Sequence, residues 1–182
     1  MDFKKHALIL EVVETLHKQN SWTGKTHVQK TLFLMEAIAS VSLPFDFILY
    51  KHGPYSFDIE SEMEEMKGYF ALTSVPVPGY GVTLNPGEKA DFIRQKASLT
   101  PKEKKGIERV CKFVGTKDVR ELERLATIAW IHSREGIHST EAVTTRLHEL
   151  KPHISLQEAE QAQRDILPFL SENLATTTHL GG

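Results

Sequence analysis

The chain has 182 residues, 40% of them hydrophobic and 25% charged, with a formal net charge of −2. This is the balance of one ordinary globular domain, or of one domain with a helical extension, and it excludes collagen-like, disordered and disulfide-dense classes. No apolar run approaches the roughly 18 residues a spanning helix needs, and Met1-Asp2-Phe3-Lys4-Lys5-His6 has no apolar signal core, so a cytoplasmic location is expected.

Taken in chain order, Leu8, Val12, Val13 and Leu16 recur at helical spacing and predict a helix over 5–18. A second helix is predicted over 27–40 from Val28, Leu32, Met35 and Ala39, with Thr26 and Gln29 spaced as a capping box. Phe47-Ile48-Leu49-Tyr50 then reads as a strand that ends in a Gly53-Pro54 turn. An acidic helix follows at 57–67, where Asp58, Glu60, Glu62, Glu64 and Glu65 face only Lys67, a local charge of −4. Ile59, Met63 and Met66 share its apolar stripe, so the helix is expected to bury one side and present a negative one.

Between residues 69 and 84 the period changes. Two aromatic and β-branched runs separated by Pro76-Val77-Pro78-Gly79 predict a β-hairpin. Capping boxes at Asn85/Glu88, Thr100/Glu103, Asp118/Glu121 and Ser155/Glu158, with Pro86 and Pro101 at first helical positions, mark helices over 86–96, 101–114, 118–133 and 156–173, and periodicity adds one at 139–150. The only cysteine, Cys111, falls on the apolar face of its helix with Ile107, Val110 and Val114 and is expected in the core.

The fold class read from this order is mainly α with a small β-hairpin or three-stranded wing. Residues 1–97 are expected to form a winged-helix-like unit with the hairpin 69–84 as wing and 47–50 as third strand; residues 100–174 are expected to form a helical extension packed on it, and 175–182 a disordered tail.

Chemistry-bearing motifs are absent from the pattern. Gly24-Lys25-Thr26 lacks the glycine that a phosphate loop needs at position 19, where Gln19 stands, and no strand is predicted before it. His132, His138, His148 and His153 lack paired metal-ligand spacing, and no carboxylate is placed beside a nucleophile with a base. The sequence therefore leads to a non-enzymatic role with no cofactor and no metal.

Charge is unevenly distributed: residues 1–85 carry seven lysines and ten acids, whereas 89–120 carry ten cations and four acids. Two binding modes follow. The acidic helix and the turn before it offer His52, Tyr55, Asp58, Glu60, Glu64 and Glu65 to a basic partner protein. Alternatively, Lys25, Lys30, Lys102, Lys105, Arg109 and Lys112 could meet nucleic-acid phosphates if they share a face, as in a winged-helix transcriptional regulator. Against the latter, the helix in the recognition position is acidic and the wing from Val75 to Tyr80 has no Lys or Arg.

The segment Thr26 to Thr83 carries a resemblance. Val28-Gln29-Lys30-Thr31-Leu32-Phe33-Leu34-Met35-Glu36, then Leu43 through Ser56 with His52-Gly53-Pro54-Tyr55, then Tyr69-Phe70 and Gly79-Tyr80-Gly81, resembles the YwgA-like family over 58 of the 182 residues. It is also similar to the C-terminal domain of the DarG antitoxins and, more distantly, to the Panacea antitoxin domain. The resemblance implies a bacterial or archaeal domain with a winged-helix-like core, encoded near toxin-antitoxin and phage-defence genes. In DarG the domain is associated with blocking a DNA-modifying toxin at its DNA site. The macrodomain glycohydrolase of DarG has no counterpart in the matching segment. Closely spaced carboxylates on 57–67 would suit DNA mimicry of a phosphate backbone.

Overall fold

In the computed structural model, which describes residues 1–178, the chain runs α1 (Phe3–Lys18), α2 (Lys25–Ala39), β1 (Ile48–Tyr50), β2 (Gly53–Tyr55), α3 (Phe57–Gly68), β3 (Leu72–Val77), β4 (Gly81–Pro86), α4 (Ala90–Lys96), α5 (Pro101–Val114), α6 (Val119–Arg134), α7 (Thr140–Leu150) and α8 (Leu156–Thr178). The molecule is mainly α with small β-hairpins, as its periodicity predicts. Residues 179–182, which include Gly181-Gly182, lie outside the described part. Helix α8 continues to Thr178, so 175–178 belong to it and not to a tail.

Helix α2 organises the fold. His27 through Met35 are all buried, which is the pattern of a helix enclosed on every side. Helices α1, α5, α6 and α8, together with β2, pack around it. The buried apolar residues from Ala7 to Leu170 form one cluster, so the core continues across residues 97–100 without a break. Cys111 lies in this cluster, and burial pushes its thiol up to about 12.

Local signals explain most boundaries. The boxes at Thr100/Glu103 and Asp118/Glu121 form reciprocally, and Ser155 and Glu158 exchange bonds of 3.0 and 3.3 Å at the start of α8. Two expected boxes do not form. Asn85 and Pro86 stay in β4, opposite Thr73 and Leu72, and α4 begins only at Ala90. Helix α2 begins at Lys25 behind Gly24 with no side-chain cap, and Gln29 is used elsewhere.

The two hairpins are separate sheets. Strand β1 does not join β3–β4 as a third wing strand; it pairs antiparallel with β2, with Ile48 opposite Tyr55 and Tyr50 opposite Gly53. Gly53-Pro54 is therefore strand and not turn, and the reversal falls at Lys51-His52. The β3–β4 wing turns at Pro78-Gly79-Tyr80 and is fastened at its base, where Leu84 donates its N–H to Thr23 O (3.1 Å) and its carbonyl accepts from Thr23 Oγ1 (2.8 Å).

Candidate functional site

The residues singled out from the sequence around Gly53-Pro54-Tyr55 converge where the β1–β2 hairpin, α2 and the start of α3 meet. Gly53 has φ +88°, and a Cβ there would stand 2.9 Å from Thr127 Oγ1 on α6, so only glycine lets the hairpin lie this close to α6. Pro54 O accepts from Lys30 Nζ at 2.6 Å. Gln29 donates to Ser56 O (2.8 Å) and accepts from Ser56 N (3.0 Å), and Ser56 Oγ in turn caps α3 at Ile59 N. Helix α2 thus fixes both the second strand and the first turn of α3.

Helix α3 buries Ile59, Met63 and Met66 as the stripe predicts, each worth roughly 1.5–3 kcal/mol on burial. Four of its carboxylates stay 40–50% exposed, yet each has a cationic neighbour. Asp58 lies 3.4 Å from Lys5, Glu60 3.7 Å from Lys25, and Glu64 2.7 Å from Lys25 and 2.5 Å from Lys67. Glu62 is 2.6 Å from His6 Nε2, and Glu65 is 3.5 Å from the Met1 amine. Cations on α1 and α2 therefore offset the charge of −4 that the segment carries in isolation. Hydrogen bonds from Lys25 and then Lys67 hold the Glu64 carboxyl below its ordinary range.

Three aromatic rings gather beside these acids. Tyr55 lies 5.7 Å from Tyr50 and 5.1 Å from Phe57, and the outer two rings are 5.9 Å apart. Tyr50 is 54% and Phe57 56% exposed. Tyr55 is half-buried and donates its hydroxyl to Glu60; burial first, then that bond, raise its pKa. Sequence reasoning found Tyr55 but missed Tyr50 and Phe57. Part of the signal was available: once Gly53-Pro54 is read as strand, Tyr50 lies opposite Gly53 with Tyr55 as its diagonal same-face neighbour, and Phe57 opens the next helix.

Behind the rings lies a cavity of about 280 Å³ lined by Gln29, Lys30, Tyr50, Tyr55 and Met63, with Lys25 and Glu60 at its rim. Lys30 is 2% exposed, and burial pushes its ammonium down to about 8. On the other side of the hairpin, His52 points to solvent with Nδ1 3.8 Å from Glu123, a buried carboxylate that also faces Lys151 at 3.1 Å and His153 at 3.7 Å. His52 thus faces Glu123 and also lines the cavity that Tyr55 and Glu60 share.

The six cations of the nucleic-acid reading do not form one stripe. Lys30 is inside the protein and Lys25 is tied to Glu64. Lys102, Lys105 and Lys112 are exposed on α5, where Arg109 lies over the Phe169 ring at 5.5 Å.

Among the described residues, one group has ligand atoms close enough to hold a metal: His6, Glu62 and Glu65, all within 4.8 Å of one another. His6 is fully buried, with Nδ1 2.7 Å from Tyr69 Oη and Nε2 2.6 Å from Glu62, so both ring nitrogens already have partners. The trio is complete as a hydrogen-bonded link between α1 and α3. It was not visible in sequence because His6 and Glu62 are 56 residues apart.

The chain matches no protein-family model and no curated protein.

Proposed function

We propose that this chain is a non-enzymatic protein-interaction module of a bacterial or archaeal cytoplasm, antitoxin-like or defence-associated, which grips a partner protein through Tyr50, Tyr55 and Phe57 with the α3 carboxylates at the rim. The observation that carries this reading is the aromatic trio: two rings more than half exposed, Tyr50 and Phe57, packed against Tyr55 and against each other beside the α3 carboxylates. Aromatic side chains are enriched in interface cores and dominate hot spots. An arginine-bearing partner suits the trio, because a guanidinium stacks on tyrosine while pairing with a neighbouring carboxylate such as Glu60. The resemblance to DarG and Panacea antitoxin domains supports a toxin or defence effector as that partner. Aromatic anchoring is favoured over DNA mimicry, since the acids have internal cations.

The test is capture from the native host by the wild type, by a Tyr50→Ala/Phe57→Ala variant and by a Glu64→Lys/Glu65→Lys variant, each shown by thermal melting to be folded. Glu60 is left alone because it holds Tyr55. A partner lost on aromatic truncation, and held less tightly at low salt after charge reversal, supports the reading. Equal capture by all three proteins removes it. Nanomolar binding to one operator sequence would instead favour the winged-helix regulator.

A further inference from the structure

Lys30 is a buried cation without a dedicated anion. It sits in the middle of α2 at 2% exposure, and its ammonium has three donors to place. The one acceptor bonded to it is the neutral carbonyl of Pro54, at 2.6 Å. Among the described residues, no carboxylate comes within the 4 Å of an ion pair. Glu123 is the acid whose field reaches Lys30, and that carboxylate faces Lys151 at 3.1 Å. A buried charge ordinarily has a paired counter-charge, because leaving it unpaired carries a large desolvation cost. Lys30 instead lines the 280 Å³ cavity together with Tyr50, Tyr55 and Met63, its Nζ 3.6 Å from where a Cβ on Gly53, another lining residue, would stand.

We propose that this cavity is a binding site for a small organic monocarboxylate, whose carboxylate pairs with Lys30 Nζ and whose flat apolar body lies between Tyr50, Tyr55 and Met63. The cavity volume is just below the usual range for drug-sized ligands, which limits the body to about a single ring. The charge of the ligand follows from the lining. Of the other basic residues in the lining, Lys25 is paired with Glu64 and Glu60 and His52 faces Glu123, so Lys30 is left to match one negative charge while Glu60 repels a second, and an inorganic or organic phosphate dianion fits worse. Burial also favours loss of the Lys30 proton, and a bound carboxylate reverses that by stabilising the ammonium. The site goes beyond the interaction surface proposed above and does not depend on it.

The experiment is calorimetric titration of the full chain with benzoate, 4-hydroxybenzoate and phenylacetate, with benzamide as the neutral isostere and inorganic phosphate as the dianion control. The wild type is expected to bind at least one carboxylate ten-fold or more tighter than benzamide, with phosphate weaker still. That comparison needs no variant. In Lys30→Met, shown by thermal melting to be folded although the Pro54 carbonyl loses its donor, carboxylate binding should fall at least ten-fold while benzamide binding changes little. Equal binding of benzoate and benzamide, no binding of any of the three carboxylates, tighter binding of phosphate, or a folded Lys30→Met protein that binds the carboxylates as tightly as the wild type would each overturn the proposal.

Discussion

The Gln29 side chain closes both backbone groups of Ser56, donating to its carbonyl at 2.8 Å and accepting from its N–H at 3.0 Å. Both partners are buried, so no water replaces the amide if it is removed. Gln29→Leu keeps the helix and the approximate volume but orphans a buried donor and acceptor. The expected loss is about 2–4 kcal/mol, from roughly 1–3 for each unsatisfied group with partial relaxation. Urea denaturation checks this, and a loss under about 1 kcal/mol would mean that the hairpin–α3 junction is held by something else.

Gly53 and Gly79 both have positive φ, at +88° and +79°, but their surroundings differ. A methyl at Gly53 meets Thr127 Oγ1 at 2.9 Å and lies 3.6 Å from Lys30 Nζ, whereas at Gly79 it meets nothing. Gly79→Ala should cost about 1–2 kcal/mol, the conformational strain alone. Gly53→Ala adds overpacking and should cost about 2–4 kcal/mol. Equal shifts in the denaturation midpoint would show that the hairpin moves off α6 freely.

These two sites mark where the sequence was legible. Most helix ends came through to within about two residues because amphipathic spacing, Thr100/Glu103 and Asp118/Glu121 act within a few residues of each other, whereas α4 starts late at Ala90 and α8 runs on to Thr178. Gln29 has the right spacing to cap its own helix, yet it reaches Ser56 27 residues away, a competition that no local rule contains. Gly53-Pro54 carries a turn's composition; its use as strand depends on the space left by Thr127 in α6. The charge of α3 was read correctly and its pairing was not, because Lys5, Lys25 and the Met1 amine come from elements that only tertiary packing brings beside it.

Acid should weaken the fold before its carboxylates titrate. His27 is buried, with Nε2 3.0 Å from Lys117 O and Nδ1 without a partner, and burial lowers its pKa below the ordinary 6.5. His132 is lowered by burial and then by the charge of His138. In both cases the unfolded chain takes up a proton that the folded one refuses. Unfolded histidine therefore binds more protons, and stability rises with pH across the window below 6.5 and is lost as pH falls through it. The slope is bounded by about 1.4 kcal/mol per pH unit for each group. Urea midpoints between about pH 7 and 5.5 should fall in the wild type and fall less steeply in His27→Gln/His132→Gln. A wild-type profile that is flat over this window, or unchanged slopes in the variant, would refute the assignment.

Nucleic-acid binding should be weak and confined to α5. Lys102, Lys105 and Lys112 are exposed on that helix with Arg109 between them, whereas Lys25 is held by Glu64 at 2.7 Å and Lys30 is inside the core. The wing, where Val75, Tyr80 and Val82 are exposed, has no cation to place on a backbone. With Lys104 also exposed on α5, at most five phosphates can be neutralised, which sets a salt slope no steeper than about −4 to −5 in log K against log salt, and dissociation constants in the non-specific range of roughly 10⁻⁴ to 10⁻⁶ M. Gel-shift titration of an unrelated duplex at two salt concentrations checks both numbers. Lys102→Glu/Lys105→Glu/Lys112→Glu should abolish the shift. Lys25→Glu should leave it unchanged, since that side chain neutralises Glu64 and not a phosphate. A duplex bound with nanomolar affinity that persists at high salt, or lost on changing Lys25 alone, would move the nucleic-acid surface to α2 and restore the regulator reading.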